Sequence, residues 1–293
     1  MDFIGPFLFA AIRMILGALT LLLVLTIQGL IWPQKEVRQQ DTKAASDGSV
    51  RVRQMSLKRL VRAGFVVGSV LFIAGSLQQI GLVYTTASKG GFLTTLYIVL
   101  VPILGMALKH KTHWNTWVSV LIAAFGLYFL CITEAFSIEP GDIVLMISAF
   151  FWAGHILATD HLVEGITRRD VMKMCIAQFI VASILCFVFS VFFDRFFAHG
   201  AFDMTALIHA LPFVLYVGVL STGIAFTLQA VGQQGISPSA AAIIMSLEAV
   251  FSVLGGMIIL QEALSGREVL GCVLMFAAVV LSQLPTGQAK HVA

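Results

Sequence analysis

Apolar runs of about 20 residues recur along nearly the whole chain, and each is long enough for a helix to cross roughly 30 Å of hydrocarbon. Lipid offers no hydrogen bonds to a backbone, so segments of this kind must satisfy their polar groups internally, as helices do. Nine spans can be read, at 6–31, 62–84, 90–108, 115–133, 142–159, 171–193, 207–231, 238–260 and 268–285. Hydrophobic residues make up 59% and charged residues 11% of the 293, whereas a soluble domain carries roughly 25% charged residues. The pattern predicts an all-α polytopic membrane protein. The net charge of +3 is too small and too dispersed to suggest a nucleic-acid partner. Cys131, Cys175, Cys186 and Cys272 all fall inside apolar runs, so neither a disulfide framework nor a zinc site is expected.

The first run opens "MDFIGPFLFAAIRMILGALTLLLVL". Pro6 suits a first helical turn, where its missing N–H would be unpaired in any case. A cleavable signal peptide would place basic residues first and close a short apolar core with small residues. Here Asp2 stands in the flank and the run reaches past Ile31, so the segment reads as a span already carrying a cation, Arg13.

Basic residues set the orientation. Lys35, Arg38, Lys43, Arg51, Arg53, Lys58, Arg59 and Arg62 mark the first loop, a polar linker without hydrophobic period. Lys109 and Lys111 mark the third, Arg168, Arg169 and Lys173 the fifth, and Lys290 the tail, while the alternate loops hold only Lys89, Arg195 and Arg267. The positive-inside rule makes the first set cytoplasmic, with the N-terminus outside and the C-terminus inside. Within this topology "LQQIGLVYTTASKGG" (77–91) turns outside and the related "LQAVGQQGISPSAAA" (228–242) turns inside. Two related units of opposite orientation are the pattern of an inverted-repeat transporter, whose site lies near the midplane.

The segments "GLVYTTASKGGFLTTLYIVLVPILG" (81–105), "FWAGHIL" (151–157), "FTLQAVGQQGISPSAAAIIMSLEAVFSVLGG" (226–256) and "LQEALSGREVLG" (260–271) resemble, in order, those of the EamA-type drug/metabolite transporters. The resemblance covers essentially the whole chain. It implies a ten-helix fold of two inverted five-helix units around a central cavity, here residues 1–133 with four spans and 134–293 with five. "GPFLFAAIRMILGALTLL" is similar to the family's second helix, so the first has no counterpart in these 293 residues. An internal methionine taken as the start, a truncation or a nine-helix variant would each give that count. Two departures stand out: Ala249 follows Glu248 where many members have Pro, and the first unit lacks a counterpart of Glu262.

Glu248 is the sharpest candidate. Ten residues past Pro238 it sits about 15 Å along its helix, near mid-bilayer. Ala241, Met245, Glu248, Ser252 and Gly255 share one helical face. Burial penalises a carboxylate's charge, so it takes up a proton or pairs with a cation. Binding a substrate amine, coupling to protons and simple hydrogen bonding between helices all remain open.

Arg13, about 10 Å into its span, either snorkels to the outer surface or faces the cavity toward Glu248 or a substrate carboxylate. Gln78 and Gln229 match in the repeat, and each amide offers both a donor and an acceptor for a polar solute or a neighbouring helix. Thr94, Thr95 and Tyr97 form a polar cluster opening the third span, and Trp152 and His155 lie on the fifth. These nine residues are the candidate binding or pathway set. Gly64 and Gly68 give GxxxG, commonly a packing face.

No HExxH or GxSxG motif argues for hydrolysis. The expected function is a secondary-active inner-membrane transporter, an exporter of small polar or amphipathic, amino-acid-like metabolites by alternating access. It needs no cofactor, and its partners are a small-molecule metabolite and the lipid bilayer, with a homodimer compatible. The competing readings are a truncated, non-transporting membrane protein and an intramembrane enzyme.

Overall fold

The computed structural model describes residues 5–31, 54–85, 87–110, 112–131, 139–197, 211–259 and 265–284. Residues 32–53, with Lys35, Arg38, Lys43, Arg51 and Arg53 of the first loop, and Glu262 fall outside the described residues, as does the side chain of Ser252, whereas Lys58, Arg59 and Arg62 are helical. All the regular structure described is helical: α1 (Pro6–Ile31), α2 (Leu57–Val83), α3 (Ala87–Thr95), α4 (Tyr97–Ala107), α5 (Trp114–Cys131), α6 (Pro140–Val163), α7 (Arg168–Phe197), α8 (Leu211–Gly232), α9 (Pro238–Met245), α10 (Glu248–Ile259) and α11 (Gly266–Gln283). Among the described residues, seven helices are long and apolar enough to cross a membrane. The nine apolar runs therefore resolve into seven such helices and two shorter ones, Trp114–Leu130 and Pro238–Phe251.

The helix starts follow from capping chemistry. Pro6 opens α1, and the free N–H groups of Phe7 and Leu8 donate to Asp194 of α7 at 3.0 and 2.8 Å. Gly5 is required there, because a Cβ would stand 2.2 Å from the Asp194 Cγ. Ser237 accepts from the Ala240 N–H ahead of Pro238, and Ser265 with Glu268 forms a reciprocal capping box on α11. Asp142 accepts from the Glu139 N–H at 2.7 Å and from the Thr85 hydroxyl at 3.0 Å, fixing the start of α6.

The helices pack as two compact units. The first comprises Met1–Ser76 and Ala158–Gly235, the second Leu77–Leu157 and Ile236–Ala293. Each unit thus draws on both halves of the sequence, and α2 and α6 are shared out between the two. In the first unit Gly64 and Gly68 let α2 approach α7 closely: Cβ atoms there would meet the Ala177 Cβ at 2.3 Å and the Gln178 carbonyl at 2.6 Å. That is the packing role expected of a GxxxG pair. A π-helical stretch, Tyr216–Ala225, runs through α8 and is closed by the Phe226 N–H donating to the Ser221 carbonyl. Gly218 and Gly223 on this stretch face Leu16 and Thr20 of α1. In the second unit Ile98, Val101, Leu127, Ile156, Ile243 and Met275 form a core, none more than 2% exposed.

Candidate functional site

Two apolar helices of the second unit are interrupted. Between α3 and α4 the Leu96 N–H donates to the Leu93 carbonyl at 3.3 Å, and between α9 and α10 the Leu247 N–H donates to the Ile244 carbonyl at 3.1 Å. Both are tight i to i+3 turns, which narrow a helix locally and commonly mark hinges. Hydroxyls flank both turns. Thr94 and Thr95 donate to the Gly90 and Gly91 carbonyls at 2.8 and 2.7 Å, and Ser246 donates to the Ile243 carbonyl at 2.6 Å. Back-bonding of this sort competes with the main-chain ladder and bends helices.

The repeat aligns Leu77 with Leu228, an offset of 151 residues. That offset carries Leu96 onto Leu247, so the two turns occupy equivalent places. It carries Thr95 onto Ser246 and Tyr97 onto Glu248, the first residues of α4 and α10.

Their environments differ. Tyr97 is buried at 6% exposure and lies within electrostatic range of the Glu248 carboxylate. Glu248 is exposed, yet its surroundings are dense with protein. Among the described residues no Lys or Arg pairs with Glu248.

In the same unit, the Trp152 indole N–H donates to the Gln78 Oε1 at 3.2 Å, and the Trp152 and His155 rings meet edge-on at 5.7 Å. Gln78, Trp152 and His155 therefore form one contiguous polar–aromatic group in the second unit, with His155 only 1% exposed. The Thr94 and Thr95 hydroxyls are buried and engaged with their own helix. Arg13 and Gln229 belong to the first unit, where both are partly buried. Two groups escaped the reading of the sequence. Ser246 could have been found by extending the repeat, since "TLY" (95–97) and "SLE" (246–248) align at the same offset. Gln79, whose buried Oε1 has no hydrogen-bond partner, carries no signal beyond its neighbour Gln78.

The profile of the EamA-like transporter family matches residues 1–132 and 139–284. An uncharacterized transporter of Archaeoglobus fulgidus is 31% identical over 222 residues, covering 75% of this chain and 68% of that one. The uncharacterized transporter YoaV of Bacillus subtilis is 21% identical over 294 residues, covering 98% of this chain and 90% of its own. A solved crystal structure superposes with a TM-score of 0.70 over 96% of this chain and 88% of the other, at 16% identity, which speaks to the fold alone. The chain belongs to the EamA-like transporter family: it is a multi-pass membrane transporter and not an enzyme.

Proposed function

We propose, from membership of the EamA-like transporter family as the premise, that this protein is a secondary-active carrier exporting a small polar or amphipathic, amino-acid-like metabolite by alternating access. Glu248 is its cation-binding group and takes either a proton or the ammonium of the solute. One observation carries the reading: an exposed carboxylate stands at the first residue after an interruption in an apolar helix, with no basic side chain paired to it among the described residues. Interrupted helices are where inverted-repeat carriers place substrate and coupling ions. Two inverted repeats, 1–133 and 134–293, are supported by the equivalent turns at Leu96 and Leu247. Tyr97, Gln78, Trp152 and His155 shape the remainder of the site in the second unit. The N-terminus lies outside and the C-terminus in the cytoplasm of an inner membrane.

The test is transport into vesicles, normalised to folded protein, across a range of pH. Wild type should show a pH-dependent rate and Glu248→Gln a flat, much lower one. Near-wild-type transport by Glu248→Gln, with an unchanged pH profile, would remove Glu248 from the mechanism. Reporter fusions after Ala293 and within residues 40–50 should both report cytoplasm, and an external signal at either place overturns the orientation.

A further inference from the structure

Arg13 was expected either to snorkel to the outer surface or to face inward. It stands about 10 Å past the start of α1, and Ser76 stands about 10 Å before the end of α2. The guanidinium reaches sideways to this second helix: its Nη2 lies 3.7 Å from where a Gly75 Cβ would be. Cys186 of α7 is the titratable group in its electrostatic surroundings. Ala10, Ala11 and Cys186, with Phe72 beside them, form an apolar cluster in this unit, and the Ser183 hydroxyl donates to the Ala11 carbonyl at 2.9 Å.

A cation at this depth normally has a counter-ion. Among the described residues none pairs with Arg13, and its buried Nε has no hydrogen-bond partner. Asp194 is the carboxylate that acts on Cys186 from the same helix. Both of its oxygens already accept from the α1 N–H groups of Phe7 and Leu8. The helix that carries the cation therefore holds the nearby anion for its own cap. Arg13 is half-buried as a residue, its Nε is buried, and among the described residues the guanidinium is left unneutralised.

We infer that Arg13 is the docking group for a small carboxylate that enters the first unit between α1, α2 and α7. The planar fork of a guanidinium matches the two oxygens of a carboxylate. Gly75 leaves the space beside it unfilled by any side chain. A lipid phosphate, held at the headgroup level, is the other source of an anionic oxygen, and the depth of Arg13 disfavours it. The inference stands independently of Glu248, which belongs to the second unit.

The experiment uses the purified full chain in lipid nanodiscs and reads thermal unfolding. The probes are benzoate and benzamide, equal in shape and different in charge. A ligand that binds only the folded state raises the unfolding midpoint as its concentration rises. Benzoate should raise it by several degrees and saturate, while benzamide should leave it in place. Arg13→Gln should abolish the benzoate response. Arg13→Lys keeps the charge but loses the fork, and should shift the half-saturating benzoate concentration upward by about tenfold; it also serves if the glutamine variant does not fold. Equal effects of benzoate and benzamide, no effect of benzoate on wild type, or a benzoate response unchanged in Arg13→Lys would each overturn the inference. So would Arg13-dependent stabilisation by phosphatidylglycerol nanodiscs over phosphatidylcholine ones with no response to benzoate, which would assign the residue to a lipid headgroup.

Discussion

The turn at Leu96 and the turn at Leu247 share a backbone and differ in chemistry. Each is a single i to i+3 turn, each follows a hydroxyl residue that bonds back into its own helix, and each releases a new helix one residue later. One new helix starts with a buried phenol, Tyr97, and the other with an exposed carboxylate, Glu248. A duplicated geometry has been given two side chains of different charge. The lesson is that two turns of the same backbone form can present side chains of different charge and different access.

The sharpest way to break this comparison is Glu248→Gln. It keeps shape and most hydrogen bonding and removes the charge. Transport should fall tenfold or more, since a hydrogen bond to a charged group contributes roughly 1.5 to 3 kcal/mol, while the amount of folded protein in the membrane stays level. A purely structural Glu predicts the opposite, tolerance of Gln with loss of folded protein only for Glu248→Ala.

Exchanging the two groups, Tyr97→Glu with Glu248→Tyr, asks whether the two turns are interchangeable. The environments of the pair differ in access, so the exchanged protein should transport no better than Glu248→Gln in the same vesicle assay. Recovery to wild-type rates would mean that either turn can host the charge. Tyr97→Phe removes only a hydroxyl near Glu248. Loss of a polar group within electrostatic range of the carboxylate should lower transport by about fivefold, on the scale of about 1 kcal/mol for one polar contact, and leave the folded fraction intact. The smallest effect belongs to Ser246→Ala, which deletes a back-bond without touching the turn's main-chain hydrogen bond. Thermal unfolding should move by no more than a few degrees and transport should stay within about twofold, as expected for a net loss of about 0.5 kcal/mol. A collapse of transport in this variant would show that the hydroxyl, and not the backbone, holds the turn open.

Much of the architecture was legible because lipid imposes simple rules. Run length and hydropathy located the helices, and Pro6 and Pro238 mark starts that the structure keeps. The GxxxG pair in α2 packs as such a pair should. The interruptions were less legible because neither Leu96 nor Leu247 is a proline or glycine; the turn is made by local hydrogen bonding that no single residue announces. The π-helical stretch in α8 was invisible for a similar reason, since a register shift of one residue per turn leaves hydropathy unchanged. Candidate residues were placed on spans correctly, but their grouping was not foreseen. Gln78 meets Trp152, which meets His155, whereas Arg13 lies beside Gly75 and in the electrostatic surroundings of Cys186.

The cap that Asp194 places on α1 also sets a schedule for synthesis. The two ends of the Phe7–Asp194 hydrogen bond are 187 residues apart in sequence. At about 5 to 20 residues per second, the first helix therefore waits roughly 10 to 40 seconds for the residue that completes its first turn. During that interval α1 holds its cation in or near the bilayer without the neighbours on α7 that later enclose it. A ribosome that stalls between the two would leave a membrane-inserted chain whose first helix still lacks its cap and whose arginine still lacks its neighbours on α7.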